Sequence, residues 1–377
     1  MDLLASLRGL NAEDMIRQKL KNTLFRSDLS KLKIKRVLSF FKDMTHGESA
    51  ESIAERYTNR YRDISSKKKL LLIYSKYDYG YRSSGLSYEY YNFELTLKNM
   101  CNIEFVSFDY IGLAMGFGQN KMNAALAELV LQFQPDYILY IHYYDLISSQ
   151  IWDYVTRICG RTAGWFCDDS WRYDHTKHLD DRFSLIVSTS KRITEKRKSL
   201  GLNAITVPWG VNTTIYRPYN LKRDLLVTFV GKAHGDRKKA VYELRNSGIS
   251  VSTYGEGWPG SKRLDFHQYI DILNRSTIIL GLSKSSDGSG TQLKGRDFEA
   301  PACGCVLVRV DDGEISEYLD VGTEFVGYYS EEELPFILNS LISDNEKLNR
   351  ISANARERVV SHHSMESRIN NILDCLE

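Results

Sequence analysis

At about 150 residues per domain, a chain of 377 residues predicts two to three units rather than one. Its 50 Lys+Arg and 48 Asp+Glu leave a formal charge of +2, so no global basic field points to nucleic acid. A 42% hydrophobic and 12% aromatic composition excludes wholesale disorder, and no run of about 18 apolar residues forms a helical membrane span. The apolar opening soon meets Glu13, Asp14 and Arg17, unlike a secretory signal.

The small net charge is a cancellation. Residues 1–69 hold 16 Lys+Arg and 9 Asp+Glu, a local charge of +7, which leaves −5 for the remainder. Between Arg17 and Lys42 stand nine basic residues and one acid, Asp28, interleaved with Leu20, Leu24, Phe25, Leu32, Ile34, Val37, Leu38, Phe40 and Phe41. This pattern fits a basic amphipathic helix on an anionic membrane surface, or, as charge runs more commonly are, a solvated basic face of a helical pair packed on the main body. Residues 1–68 are read as a helical basic extension.

From residue 69 the pattern becomes an alternation of strands and helices. Strands are predicted at 70–74, 103–108, 137–141, 163–166, 185–188 and 204–207. The intervening helices fall at about 87–100, 121–134, 148–159 and 194–200. The first strand, Leu70, Leu71, Leu72, Ile73 and Tyr74, is continuously apolar, as in a parallel strand covered on both faces. Ser87 is placed to cap the first helix, and Met122, Leu126, Leu129, Val130 and Phe133 share one face of the second. Residues 208–223, with Pro208, Gly210, Asn212 and Pro218, read as a connector.

The rhythm then restarts. Strands at 225–230, 251–254, 278–282 and 306–310 alternate with helices at 238–246, 267–275 and 295–302. Late helices follow at 330–342, 345–361 and 364–376. The organisation is thus a first α/β domain over 69–207, a second over 224–361 and a terminal helix over 362–377. Ligands of such paired sheets bind at the carboxyl ends of the strands, here in the cleft between the domains. The six cysteines include no CxxC pair and no zinc-like spacing, which suits free thiols in a reducing cytoplasm. Cys303 and Cys305, taken as strand residues, would share a face near the outer limit for a disulfide.

The most specific stretch is Arg296-Asp297-Phe298-Glu299-Ala300-Pro301-Ala302-Cys303-Gly304-Cys305, followed by Val306, Leu307 and Val308. It resembles the donor-binding segment of GT-B glycosyltransferases of group 1, most closely the spore-maturation-protein glycosyltransferase-like version. Other matches fall in the family's order. They are Pro135-Asp136 before a strand ending at His142, the connector from Val207 to Asn212 with Tyr216-Arg217-Pro218, Phe229-Val230-Gly231, and Gly255-Glu256-Gly257. The resemblance runs from about residue 69 to the C-terminus.

It implies two Rossmann-like domains and a hexosyltransferase-like enzyme that moves a sugar from a nucleotide-diphosphate sugar to an acceptor hydroxyl. It further implies that the Glu299 carboxylate receives ribose hydroxyls. The fuller family pattern is Glu-x7-Glu, and its first position is here Thr291. The surviving Glu299 favours a retaining outcome.

Physical reading of the residues supplies the rest of the candidate site. Gly288, Ser289, Gly290 and Thr291 form a small-residue loop whose N–H groups can approach a diphosphate, with Lys294 and Arg296 for charge. Gly231, Lys232 and Arg237 form a second such set, and Gly255 closes the next turn. Tyr254 and Trp258 beside it read either as base-stacking rings or as core. On the acceptor side stand His142, a general base or a structural histidine, and Asp168-Asp169, a base pair of carboxylates or a capping turn. No Asp-x-Asp occurs, so the expectation is a metal-independent reaction without a cofactor. The partners expected are the nucleotide sugar, a glycan or lipid-linked acceptor, and an anionic inner membrane surface for residues 17–42, but no nucleic acid. An epimerase of the same fold and a non-catalytic sugar-nucleotide-binding scaffold are the alternatives.

Overall fold

The computed structural model describes residues 67–283 and 290–377. The basic segment 17–42, and Gly288 and Ser289 of the small-residue loop, lie outside the described residues. Two parallel sheets, each flanked by helices, make up the body. The first has six strands in the order β2-β1-β3-β4-β5-β6. These are β1 (Lys68–Tyr74), β2 (Ile103–Asp109), β3 (Tyr137–His142), β4 (Thr162–Phe166), β5 (Leu185–Ser188) and β6 (Ala204–Thr206). The second has five, in the order β11-β10-β9-β7-β8. They are β7 (Leu225–Val230), β8 (Val251–Tyr254), β9 (Ser276–Gly281), β10 (Val306–Val310) and β11 (Val326–Tyr328). This is the GT-B arrangement.

The continuous apolar runs are explained by burial on both faces. Along β1, Leu71 and Ile73 enter one core while Leu70, Leu72 and Tyr74 enter another on the opposite face. The same alternation divides β3 and, in the second sheet, sends Ile278 and Leu280 of β9 to one core and Ile279 to the other. A period of two with apolar residues at every position leaves no solvent face, so helices must cover both sides.

The helices of the first domain are α1 (Leu95–Asn99), α2 (Tyr110–Phe117), α3 (Gln119–Phe133), α4 (Ser149–Ile158), α5 (Asp169–Thr176) and α6 (Lys191–Ser199). Those after the connector are α7 (Arg237–Asn246), α8 (Phe266–Arg275), α9 (Arg296–Ala302), α10 (Leu334–Ile342), α11 (Asn345–His362) and α12 (Met365–Asp374). The predicted helices are present. Three elements were not predicted, α2, α5 and β11. Helix α2 is apolar all round and carries two glycines, so it shows no amphipathic period, and β11 has only three residues. Cys303 ends α9 rather than lying on a strand, and all six cysteines are free.

Helix α1 is preceded by a π-helical turn, Tyr90–Glu94, and Ser87 Oγ accepts from the Tyr90 N–H at 3.1 Å as the cap. Asn92 in that turn accepts from the Asn212 N–H at 2.8 Å, which fixes the connector to the first domain. The connector is also held from the other end of the chain. Val211 pairs with Ser364, and α12 lays Met365, Ile369, Ile372 and Leu373 into the core of the first sheet. The chain therefore leaves the second domain to close on the first. This fastening ties the connector to the first domain beside the cleft in which the candidate residues meet.

Candidate functional site

The basic groups gather at the carboxyl ends of β7 and β8 and the start of α9. Gly231 and Gly255 have φ of +155° and +124°, and a Cβ on Gly255 would sit 2.5 Å from the Gly231 carbonyl oxygen. Two loop backbones thus pass in contact, and only glycine fits. The space over Gly231 is taken by Arg296, whose Nη1 would stand 3.0 Å from a Cβ there. Arg296 and Arg237 face the Phe229 ring with their guanidinium carbons 5.1 and 5.5 Å from its centroid. Arg237 donates to the carbonyls of Leu282 at 3.1 Å and Lys232 at 3.0 Å and meets His234 Nε2 at 2.9 Å.

The electrostatics of this group are unfavourable in isolation. Burial, then the neighbouring Arg296, pushes Arg237 down to about 10. Burial also lowers Lys294, which Asp168 partly restores while Arg237 and Arg296 depress it further. His234 is lowered by burial and by Arg237 and Lys294. Among the described residues, Arg296 Nε and Ser283 Oγ are buried without a hydrogen-bond partner. Lys232, by contrast, is exposed and pairs with Glu256 at 3.2 Å. Like charges held together in a partly dry site favour an anion that supplies the missing acceptors.

Glu299 lies one turn into α9 and is buried. Its Oε2 accepts from the Tyr269 hydroxyl at 2.6 Å, and the Tyr216 phenol stands beside the same carboxylate. Burial raises its pKa against these two phenols. Tyr88 of the first domain closes over it, since a Cβ on Gly295 would meet that ring at 2.9 Å and Glu299 Oε1 at 3.3 Å. The resemblance implies a carboxylate that receives ribose hydroxyls, whereas here phenols from the connector and α8 cover it. Thr291 stands beside Asp312, which Arg309 grips through bonds of 2.8 and 3.2 Å. A carboxylate therefore stands beside the position that lacks the family's first Glu. Trp258 is core, packed on Phe229 and donating to the Gly231 carbonyl at 2.8 Å, so it offers no stacking face.

Across the cleft, β3 and β4 run side by side with His142 in register with Phe166. His142 is buried, its Nδ1 is 3.0 Å from the Tyr140 hydroxyl, and burial followed by Arg172 lowers it to about 3, so it is neutral. The two aspartates after β4 part company. Asp168 adopts φ 55°, in the left-handed region, and reaches the second domain: Gln292 donates to its Oδ1 at 2.7 Å and Lys294 Nζ lies 3.6 Å away. Ser170 donates to Gln292 Oε1 at 2.9 Å, completing the clamp. Asp169 turns inward, where Arg197 and Ser188 hold it and Arg197 is shared with Asp180 at 2.9 Å. It is part of the interior and does not line the cleft.

Two functional candidates escaped the sequence reading. Glu89, in the first turn after the β1 loop, is buried, and burial with a contribution from Asp168 raises it to about 6. Gln292 joins the domains through Asp168. For Glu89 the available signal was a carboxylate two residues after the capping Ser87, at the same strand edge as His142. Nothing local marked Gln292.

Between the domains lies a cavity of about 570 Å³ lined by Ser170, Ser190 and Lys191 on one side and Thr291, Asp312 and Glu314 on the other. Burial, then Asp312, raises Glu314 to about 7. A second chamber of about 380 Å³ lies beyond Thr291, against Arg237, Ser283 and Tyr328. The cleft walls are held together by Lys191–Glu317 at 2.7 Å and by stacking of Tyr91 on Phe266 with centroids 3.4 Å apart. Among the described residues no helix is long and apolar enough to cross a membrane, and no group of three or more His, Cys, Asp or Glu is placed to hold a metal ion.

Residues 237–374 match the glycosyl transferase-like family model. No curated protein matches the chain. Among solved structures it is similar to HepE (Alr3699) of Anabaena in complex with UDP and glucose, at 13% identity and a TM-score of 0.54, covering 82% of this chain and 99% of that one. It is similar also to sucrose-phosphate synthase of Thermosynechococcus elongatus, at 12% identity, TM-score 0.57 and coverage of 82% and 98%. A third is a putative UDP-N-acetylglucosamine 2-epimerase of Listeria monocytogenes, at 14%, 0.51 and coverage of 81% and 95%. With both sheets in place the chain has the GT-B fold, and the part of it that matches the glycosyl transferase-like model carries the basic cluster.

Proposed function

We propose that the protein binds a nucleotide-diphosphate sugar in the interdomain cleft and transfers the sugar to an acceptor hydroxyl on the first-domain side. The carrying observation is the cluster of Arg237, Lys294 and Arg296, with its unpartnered Arg296 Nε and Ser283 Oγ. A diphosphate offers the charge and the acceptors that this cluster lacks. When the sugar departs, the same groups stabilise the negative charge on the leaving phosphate without having to move. That is the reason for a metal-independent reading.

Glu299 fits the ribose. Tyr269 already donates to its carboxylate with the Tyr216 phenol beside it, and the hydroxyls of a ribose diol are donors of the same kind. Asp312, beside Thr291, supplies a carboxylate near the sugar in place of the family's first Glu. At the acceptor edge Asp168 and Glu89 are the carboxylates in position to take a hydroxyl proton, with neutral His142 behind them. We assign the retained configuration from the motif at Glu299. The acceptor oxygen attacks on the face from which the diphosphate leaves, so that the acceptor-edge carboxylate takes the hydroxyl proton as the sugar–phosphate bond breaks and no backside displacement occurs. The acceptor is assigned as a glycan or lipid-linked glycan used in surface polysaccharide or glycoconjugate synthesis. The enzyme is placed in the cytoplasm, with residues 17–42 attracted to an anionic inner membrane face by their nine basic residues.

The test is a thermal-shift screen of nucleotide sugars, since a ligand at about 100 times its Kd stabilises the fold by about 2.7 kcal/mol. Release of free nucleotide is then measured with and without acceptor, and Glu299→Ala should abolish it. Acceptor-dependent release and an NMR spectrum of the product with retained anomeric configuration support the assignment. Sugar interconversion without acceptor marks an epimerase, binding without turnover marks a scaffold, and either overturns it. Failure of the full chain to bind anionic liposomes at low salt removes the membrane assignment alone.

A further inference from the structure

The first domain carries an aromatic cluster at the cleft edge that donor binding does not use. The loop following β1 is closed by the Asp78 N–H donating to the Gly85 carbonyl at 3.0 Å and by the Tyr77–Leu86 bridge. It is seated on α2 at Gly80, where a Cβ would lie 2.3 Å from Ile111 Cγ2. Tyr79 in this loop has φ 55° and ψ 15°, a left-handed conformation that a bulky aromatic residue adopts only when the surroundings impose it. The strained backbone holds the Tyr79 ring outward, 49% exposed.

That ring meets Tyr143 edge to face with centroids 5.6 Å apart, and Tyr143 meets Tyr144 in the same way at 4.9 Å. The loop after β3 is fixed too, because the N–H groups of Tyr143 and Tyr144 both donate to the Tyr110 hydroxyl, at 2.9 and 3.0 Å. Glu89 is an electrostatic neighbour of Tyr143, so the rings adjoin the carboxylates at the acceptor edge. Polar groups frame the cluster in pairs. Arg263 of the second domain bonds Asp78 and stands 5.9 Å from the Tyr79 centroid, while His178 pairs with Asp145 at 2.6 Å. Arg172 donates to the Tyr143 carbonyl at 2.8 Å.

We propose that Tyr79 and Tyr143 form a stacking platform for a pyranose ring of the acceptor, making the acceptor a neutral glycan end; this rests on the sugar-transferase reading above. A pyranose presents a face of C–H groups that packs on the electron-rich face of an aromatic ring, and an edge of hydroxyls that needs donors and acceptors. Fixed phenols rimmed by carboxylate and guanidinium groups offer both. A lipid surface is the poorer fit, because Arg263, His178 and Arg172 are already paired or bonded to a carbonyl and the carboxylates of Asp78, Asp145 and Glu89 stand among them, which opposes anionic headgroups.

The experiment is saturation-transfer NMR on the full chain with maltotriose, cellotriose, laminaritriose and chitotriose, in the presence and absence of UDP. At least one trisaccharide should receive saturation. Tyr79→Asn, which keeps the left-handed backbone and removes the ring, should weaken it about tenfold, and Tyr79→Phe should stay within about threefold. The melting-temperature rise with UDP should be the same in both variants as in the wild type. Absence of binding by all four sugars, or wild-type binding by Tyr79→Asn, overturns the platform. So does binding to phosphatidylserine vesicles that depends on the Tyr79 ring. If UDP leaves the wild-type melting temperature unchanged, the donor reading fails, whereas ring-dependent sugar binding in the same samples still upholds the platform.

Discussion

Replacing Arg296 by Gln should move fold stability and nucleotide affinity in opposite directions. The guanidinium carbons of Arg296 and Arg237 lie 5.1 and 5.5 Å from one ring centre, so they are at most about 11 Å apart. At an effective dielectric of about 20, that separation still gives a repulsion of about 1.5 kcal/mol. Neutralising Arg296 removes this repulsion and the burial of an Nε without a partner. It forfeits a cation–π contact with Phe229 worth about 0.5–1 kcal/mol, and its attraction to Glu299 is set against its repulsion of Lys294. The nucleotide-free variant should therefore gain about 0.5–1 kcal/mol, a rise of about 1–4 °C in melting temperature. For a phosphate in contact at about 4 Å, the lost attraction is about 4 kcal/mol before screening and desolvation. About half of that surviving corresponds to a loss of about thirtyfold in UDP affinity. Differential scanning fluorimetry without ligand and calorimetric titration with UDP measure the two effects. A variant that is less stable than wild type and binds UDP equally well would refute the argument that the cluster is a site built for an anion.

The remaining predictions concern single groups. Asp169→Asn strands the fully buried Arg197 with one of its two carboxylates and should cost about 3 kcal/mol in chemical denaturation, whereas Asp168→Asn should leave stability within about 0.5 kcal/mol and reduce turnover. If Glu89 takes the acceptor proton, kcat/KM should rise with pH through about 6, its raised value, and Glu89→Gln should both lower the rate and flatten that limb. His363, lowered to about 4 by burial and then by Arg368, lies 2.8 Å from the Tyr318 carbonyl through Nε2 and 2.9 Å from Arg368 Nη2 through Nδ1, a pairing that fits the neutral ring. Because its folded pKa lies below its unfolded value of about 6.5, its contribution is complete above that pH and is lost as pH falls toward 4. His363→Ala should thus cost about 1–3 kcal/mol at pH 7.5, with the gap to wild type narrowing in melting curves taken down to pH 4.

The two sheets were legible because burial on both faces leaves an unmistakable trace, runs such as Leu70 to Tyr74 and Val306 to Val308 with no polar break. Caps and glycine turns read as well, since each depends on residues within a few positions: Ser87 before its helix, and Gly231 and Gly255 at their strand ends. The basic set could be named, because Arg237 follows the Gly231 turn while Lys294 and Arg296 stand between the small-residue loop and the helix of Glu299. Hidden from the sequence was anything decided by which way a side chain turns. Asp168 and Asp169 are adjacent and chemically identical. A left-handed φ at the first sends it across the cleft, while the second falls between Arg197 and Ser188.

Glu299 shows the same limit in energetic form. Its motif announces a carboxylate at the head of a helix, and the helix is there. Whether that carboxylate is open or sealed depends on Tyr216 from the connector, Tyr269 from α8 and Tyr88 from the other domain, residues up to 211 positions away. Ribose hydroxyls can replace the phenols as donors, but Tyr88 also bears on Gly295, and its hydroxyl is bonded to the Gly210 carbonyl in the connector. Admitting a nucleotide to Glu299 therefore has to loosen a contact between the domains, which couples donor binding to the width of the cleft. Removing the Tyr88 ring relieves that coupling without touching a donor-binding group. The interdomain contact that closes over Glu299 thus sits where donor binding and acceptor access meet.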